Sequence, residues 1–113
     1  MHEYSIVQAL VERVEHEART HAACGVRLVK VRIGSLSGVE RELLQTAYDT
    51  FRAGTVCAAA ELEIEPVEAR WACGRCGAPI AAGERLMCPV CGVPGRLVQG
   101  DEILLERIEL EVA

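Results

Sequence analysis

Apolar residues recur at intervals of three and four in the first part of the chain. Between positions 4 and 23 they are Ile6, Val7, Leu10, Val11, Val14 and Ala18. This spacing places them on one face of an amphipathic α-helix, and most charged residues of the stretch fall off that face. Gly25 follows the pattern and is expected to end the helix.

A second helix is predicted after residue 36. The stretch Ser37-Gly38-Val39-Glu40 has the sequence of a capping box, in which Ser37 would be the N-cap and Glu40 would reach back to it. Gly54 would close this helix. The residues expected on its buried face are Val39, Leu43, Leu44, Ala47, Tyr48 and Phe51.

Three stretches alternate apolar and polar residues and are predicted to be strands, at 27–33, 61–65 and 102–112. In the first, Val29, Val31 and Ile33 share one face. Pro66 follows the second, and because proline has no N–H to donate, we expect an edge strand or a bulge there. In the third, the apolar residues are odd-numbered at first and even-numbered later, so a β-bulge near Glu106 is needed to keep them on one face.

Residues 70–97 lose this periodicity and are rich in glycine, proline and cysteine. Two CxxC pairs, separated by 11 residues, contain Cys73, Cys76, Cys88 and Cys91. Two residues between cysteines let both sulfurs reach one ion from a tight turn, and Gly77 and Gly92 allow a left-handed conformation after each pair. Four thiolates suit a closed, tetrahedral, structural Zn²⁺ site, with iron as the main competitor.

Other chemistries fit this segment less well than zinc does. A redox CxxC needs a single pair on a thioredoxin-like scaffold, whereas this segment has two facing pairs. A zinc ribbon that binds nucleic acid is the runner-up interpretation. The segment carries four arginines against one glutamate, but four zinc-bound thiolates offset most of that charge, and Trp71 is its only aromatic residue.

Composition narrows the class of protein. The 113 residues suit one compact domain, half of them are hydrophobic, and the net charge of −5 argues against nucleic-acid binding. No apolar run is long enough for a transmembrane helix, and charged residues interrupt the N-terminus, so no signal peptide is predicted. We therefore expect a cytoplasmic protein, in which six reduced cysteines favour metal binding over disulfides.

The remaining candidate residues have ordinary interpretations. Cys24 and Cys57 stand alone beside small apolar residues and are expected to be buried or loop thiols. His16 and His21 are expected on the solvated surface of the first helix. The acidic runs at 61–68 and 101–111 are expected to be solvated strand faces. No nucleotide-binding motif and no nucleophile–base set is present, so the chain is not expected to be an enzyme.

The sequence opens with Met1, His2 and Glu3. A terminal amine and the histidine that follows it form a chelator. The amine and the His2 amide close a five-membered ring on a metal, and the same amide and the imidazole Nδ1 close a six-membered ring. The Glu3 amide or another group would supply a fourth ligand, and square-planar nitrogen coordination favours Ni²⁺ or Cu²⁺.

These features occur together in one order: MHEYSIVQAL, then GSLSGVE and a helix, then Trp71-Ala72 before the first CxxC, then Cys-Pro-x-Cys-Gly and a closing strand. The whole chain thereby resembles the hydrogenase maturation nickel-incorporation family, HypA/HybF. The resemblance implies a nickel metallochaperone with nickel at Met1, His2 and Glu3 and with zinc at Cys73, Cys76, Cys88 and Cys91. It also implies cooperation with the GTPase HypB and delivery of nickel to the [NiFe]-hydrogenase large-subunit precursor.

The predicted fold class is α+β, a small two-layer domain with two helices on a three-stranded sheet and an inserted four-cysteine zinc ribbon. A nickel-binding domain is expected over 1–69, a zinc ribbon over 70–97, and a final strand over 98–113 that completes the first domain. The expected state is a monomer or homodimer that binds neither nucleic acid nor membrane. A zinc-ribbon module that binds nucleic acid or protein, and a dithiol oxidoreductase, are the alternatives.

Overall fold

A computed structural model describes residues 2–81 and 86–113, except for the side chain of His2. The elements are α1 (His2–Thr20), β1 (Ala23–Gly34), α2 (Arg41–Phe51), β2 (Glu61–Val67), β3 (Arg70–Cys73), β4 (Pro79–Ile80), β5 (Gly95–Gln99) and β6 (Ile103–Val112). Among the described residues, the strands form two three-stranded sheets, ordered β2-β1-β6 and β4-β3-β5. The predicted α+β architecture, with two helices, a main sheet and a cysteine-rich insert, is confirmed.

The core lies between the two helices and one face of the main sheet. The stripe predicted for α1 is buried at Val7, Val11, Val14 and Ala18, which are at most 4% exposed. Opposite it, the predicted inner face of β1 is also buried, at Val29, Val31 and Ile33. The apolar stripe of α1, which repeats every 3.6 residues, therefore packs against the apolar face of β1, which repeats every two residues.

The central strand β1 pairs in parallel with β2 and antiparallel with β6. Pro66 lies opposite Ile33 in β2, which is an edge strand as predicted. In β6, Leu105 pairs with Val31 and Arg107 pairs with Lys30, so Glu106 is the extra residue of a β-bulge. The predicted β-bulge near Glu106 is therefore confirmed.

The outer face of the main sheet carries charged residues from all three strands. The Lys30 ammonium lies 3.7 Å from a carboxylate oxygen of Glu63 on β2 and 3.3 Å from Glu106 on β6. Arg32 Nε lies 3.1 Å from Glu65. Hydrogen bonding to Glu106 is the main reason that the pKa of Lys30 is raised. The acidic runs are thus solvated strand faces, as predicted.

The predicted end of the first helix was wrong. Helix α1 ends at Thr20, and Ala22 then adopts a left-handed conformation with φ of 52°. This reversal starts β1 at Ala23, so Gly25 lies within the strand, beside a shift in the register with β6. The chain turns earlier than the glycine because pairing with β6, from Ala23 opposite Val112, extends β1 beyond its alternating segment.

The predicted start of the second helix was also wrong. Glu40 is the N-cap of α2, and it makes no side-chain capping hydrogen bond. The Ser37 hydroxyl instead accepts a hydrogen bond from the N–H of Val39 at 3.3 Å. The helix therefore begins at Arg41, and Leu43 is 51% exposed and does not belong to the buried face.

Candidate metal centre

Two backbone turns of the same kind hold the four cysteines. The N–H of Cys73 donates to Ala78 O at 2.8 Å, and the N–H of Gly77 returns to Cys73 O at 3.0 Å. The second turn has the equivalent hydrogen bond, in which the N–H of Gly92 donates to Cys88 O at 2.9 Å. Both glycines adopt the predicted left-handed conformation, with φ of 76° and 67°. Each turn directs two sulfurs towards the other turn.

The four sulfurs fit a single tetrahedral ion. The Sγ atoms of Cys73, Cys76, Cys88 and Cys91 all lie within 4.8 Å of one another. The Sγ atoms of Cys76 and Cys88 are 3.8 Å apart, and a tetrahedron with metal–sulfur bonds of about 2.3 Å has edges of about 3.8 Å. Among the side chains that the structure describes, which do not include that of His2, no other group of three or more His, Cys, Asp or Glu residues could hold a metal.

Backbone amides make the site suitable for thiolates. The N–H groups of Arg75 and Cys76 both lie 3.3 Å from the sulfur of Cys73, and they lower the pKa of that thiol to about 6. The pKa of Cys91 is raised to about 12, first by its contact with the Cys76 thiol. Four thiolates this close together repel one another, and a divalent ion bound among them would stabilise their deprotonated form.

The ribbon, comprising β3, β4, β5 and both turns, is joined to the main sheet by two connections at the end of β1. The N–H of Ser35 donates to Val67 O at 2.9 Å, before the ribbon. The N–H of Leu36 donates to Gly100 O at 2.7 Å, after the ribbon. The loop that follows β1 therefore contacts both connections. Sequence reasoning missed this junction, for which the only signal was the pair Gly34 and Gly100.

At the other candidate site, Met1 and the side chain of His2 lie outside the described residues. Helix α1 begins at His2, and Glu3 is half-buried. A carboxylate oxygen of Glu3 accepts a hydrogen bond from the backbone N–H of Glu40 at 3.4 Å. The first turn of α1 is thereby joined to the start of α2. Sequence reasoning did not predict this contact, which spans 37 positions.

Three of the four remaining candidate residues are as expected, but Cys24 is neither buried nor in a loop, because β1 begins at Ala23 and includes it. His16 is exposed on α1, and His21 is exposed in the turn after it, where His21 Nδ1 is 2.9 Å from Glu17 O. Cys24 is exposed. Cys57 is fully buried in the loop after α2, and burial raises the pKa of its thiol. A buried thiol of raised pKa is a poor nucleophile, so Cys57 has a packing role.

The comparisons with known proteins agree on one family. The family model described as hydrogenase/urease nickel incorporation, metallochaperone, HypA, matches residues 1–110. The chain belongs to the HypA family. It is 45% identical over 112 residues to the hydrogenase maturation factor HypA of Nitrosospira multiformis, with 97% of each chain covered. It is 42% identical over 114 residues to HypA of Aquifex aeolicus, with 99% of each covered.

Solved structures of the HypA family share the fold. The solution structure of the Ni metallochaperone HypA from Helicobacter pylori superposes with a TM-score of 0.75 at 29% identity, with 98% of each chain covered. A second structure, titled solution structure of HypA protein, gives 0.82 at 30% identity, covering 100% of this chain and 98% of that one. Family membership makes the chain a nickel-incorporation metallochaperone of hydrogenase maturation and not an enzyme.

Proposed function

We propose that the chain binds Ni²⁺ through the Met1 amine, His2 and Glu3 and delivers it to the [NiFe]-hydrogenase large-subunit precursor. The observation that carries this proposal is the start of α1 at His2. The first N–H groups of an α-helix lack intrahelical acceptors, so the amide of His2 can bind a metal without breaking the helical ladder. The contact between Glu3 and Glu40 anchors the next residue. An open planar chelate suits transfer of the ion better than a closed cage does.

We propose that the four cysteines hold one structural Zn²⁺. The sulfur spacing fits that ion, and four protein ligands leave no open position for a substrate. The bound ion would supply most of the folding free energy of the ribbon, whose apolar core is small. The division into 1–69, 70–97 and 98–113 remains part of this proposal, although strand β5 extends to Gln99, two residues beyond the second segment.

The proposed partners are the GTPase HypB and the hydrogenase precursor, and the proposed location is the cytoplasm. The chain has no nucleotide-binding motif, so a separate GTPase would supply the nucleotide step. Within the described residues, no helix has the length and apolar character to cross a membrane. Trp71 is half-buried between Ile80 and Leu97 on the neighbouring ribbon strands, which argues against a base-stacking surface.

The test of the nickel site is a titration of zinc-loaded, untagged protein, followed by calorimetry and absorption spectroscopy. A Gly-Ser extension before Met1 turns the amine into an amide and deletes no side chain. This extension and His2→Ala should each abolish tight nickel binding and hydrogenase maturation, while the zinc content stays unchanged. His21→Ala, in the exposed turn after α1, is the matched control and should bind nickel normally.

An extended protein that still binds nickel as tightly, in a square-planar nitrogen site, would show that the terminal amine is not a ligand. Copper should bind this terminus more tightly than nickel, so selectivity must come from supply and partners. A nucleic-acid module would instead show binding to DNA or RNA that weakens steeply with salt. A dithiol oxidoreductase would cycle two cysteines without losing metal.

A further inference from the structure

Charge is distributed unevenly between the ribbon and the rest of the chain. Residues 70–99 contain four arginines and one glutamate, whereas the remaining residues contain eight lysines and arginines and sixteen aspartates and glutamates. In the described part of the ribbon the charged residues are Arg70, Arg75 and Arg96, and all three are exposed. The ribbon is therefore a basic surface on an acidic protein.

The bases of the main sheet are paired within the chain, whereas those of the ribbon are not. Each base on the outer face of the main sheet lies within 4 Å of a carboxylate oxygen, and these bases are Arg27, Lys30, Arg32 and Arg107. No carboxylate of the described residues lies within that distance of Arg70, Arg75 or Arg96. The guanidinium groups of the ribbon are therefore available to an anion from outside the chain.

Zinc-bound thiolates would lower the net charge of the ribbon without occupying these guanidinium groups. Four thiolates on one Zn²⁺ carry a net charge of about −2. The sulfurs are hydrogen-bonded by backbone groups instead: the N–H of Cys76 lies 3.3 Å from Cys73 Sγ, and the N–H of Cys91 lies 3.4 Å from Cys88 Sγ. The arginine side chains keep their donors free for another acceptor.

One face of the ribbon sheet combines two of these arginines with an apolar groove. Ala72, on the central strand β3, pairs with Pro79 on β4 and with Arg96 on β5. Facing residues lie on the same side of a sheet, so the small side chain of Ala72 lies between two larger ones. Arg70 is two positions from Ala72 and shares its face. The groove that results has a volume of about 420 Å³, and Val98, which is 54% exposed, also lines it.

We propose that this groove binds an acidic segment of a partner protein. Arg70 and Arg96 are diagonal neighbours across β3 and β5, so their Cα atoms are about 7–8 Å apart. An extended peptide places every second side chain on one face, at intervals of about 6.8 Å. Two acids at alternate positions therefore match the two guanidinium groups, and a neighbouring apolar side chain would lie in the groove against Pro79 and Val98.

An acidic protein segment fits this surface better than a nucleic acid does. A short segment contacts the ribbon alone, whereas a long polyanion would also meet the acidic remainder of the chain and be repelled by it. Single-stranded nucleic acids bind to aromatic side chains on which successive bases stack. In the described part of the ribbon the one aromatic residue is Trp71, which is half-buried.

The test begins with a phage-displayed library of random peptides, selected against the zinc-loaded full chain. Enriched peptides should carry acids at alternate positions beside an apolar residue. Trp71 is the only tryptophan of the chain and lines the groove, so its fluorescence should change when a synthetic enriched peptide is titrated into the protein. Because the carboxylates would bind exposed guanidinium groups, the affinity should fall as the salt concentration rises.

Substitutions separate the charged contacts from the apolar one. Arg70→Glu and Arg96→Glu place an acid opposite an acid, and each should weaken binding of the enriched peptide about tenfold. Arg41→Glu, the same charge change on the exposed first turn of α2, is the matched control and should have no effect. Val98→Thr keeps the branched shape and every charge, and it should weaken binding through the groove alone.

The zinc content and the amide spectrum of each variant show whether the ribbon is intact. Arg70→Gln and Arg96→Gln remove the positive charge without adding an acid, and they replace the reversal variants if those lose zinc. A selection that enriches no acidic peptides would overturn the proposal, as would an acidic peptide whose affinity is the same for the wild type and the arginine variants. A single-stranded RNA that displaces the peptide and binds more tightly would assign the arginines to nucleic acid instead.

Discussion

Gly34, the last residue of β1, lies against Gly100, which follows the ribbon. A Cβ atom added at Gly34 would lie 2.1 Å from the carbonyl oxygen of Gly100. The N–H of Gly34 also donates to Glu102 O at 2.8 Å, and Gly100 itself has φ of 113° and lies close to the backbone of Ala69. The ribbon is therefore held to the main sheet by backbone contact that only glycine permits.

Gly34→Ala should destabilise the fold through this contact. The obstructing atom is backbone, so the chain must shift, and we expect a loss of about 1–3 kcal/mol in the free energy of unfolding. Gly25→Ala is the matched control on the same strand, because no atom lies within 4 Å of an added Cβ there. That control should change stability by less than about 0.5 kcal/mol. Urea unfolding measures both, and equal effects would contradict the packing argument.

Tyr48→Phe should cost only about 1 kcal/mol, although Tyr48 is fully buried. Its hydroxyl donates to Ala60 O at 2.8 Å, but the Arg52 guanidinium donates to the same oxygen at 2.7 Å. The carbonyl therefore keeps a partner when the hydroxyl is removed. Thermal unfolding measures the loss, with Tyr4→Phe, 47% exposed, as the control. A loss of several kcal/mol would show that Arg52 does not compensate.

Tyr48 should also make the stability of the fold decrease at alkaline pH. Burial raises the pKa of Tyr48 above its usual value near 10, so the folded state disfavours the phenolate. As the pH rises, Tyr48 ionises first in the unfolded chain. Its contribution to the free energy of unfolding is therefore fully present below about pH 10 and is lost as the pH rises above that value. Tyr48→Phe should reduce this loss without removing it, because Lys30, whose pKa is also raised, loses its charge in the same range. Urea unfolding at pH 8 and 11 compares the two proteins.

Cys88→Ala should release the proposed zinc and unfold the ribbon. Removal of one ligand opens the coordination sphere and forfeits much of the roughly 10–16 kcal/mol that such ions supply. The helices should persist on their own core, which contains none of the four ligands. Elemental analysis and NMR measure the two effects, with Cys24→Ala, an exposed thiol, as the control. Full zinc stoichiometry in Cys88→Ala would refute the ligand assignment.

Nickel and zinc should dissociate at different pH values. The proposed nickel ligands must lose protons from an amine, an imidazole and an amide, so nickel affinity should fall steeply below about pH 6.5. The proposed zinc ligands are four thiolates in a closed site, and the ribbon contains no histidine. Zinc should therefore remain bound further into acid. Dialysis against buffers of decreasing pH, followed by metal analysis, measures both, and simultaneous release would place nickel elsewhere.

The sequence alone determined the features that depend on local spacing. Apolar periodicity located both helices and the three strands of the main sheet, and the change of phase in β6 located the bulge at Glu106. The absence of an N–H predicted the edge position of Pro66. The two CxxC pairs predicted the cluster of four sulfurs, because each pair and its following glycine form the turn within a few residues. Such features require no knowledge of distant residues.

Only the tertiary structure decided what depends on contact between distant segments. The capping box at Ser37 was not formed, and α2 begins instead at Arg41, where the carboxylate of Glu3 reaches the preceding residue. Leu43 was placed in the core by its spacing, but the width of the covered face leaves it exposed. The approach of Gly34 to Gly100 joins positions 66 residues apart. A local pattern records which residues can be buried, whereas the packing of whole elements decides which surfaces meet.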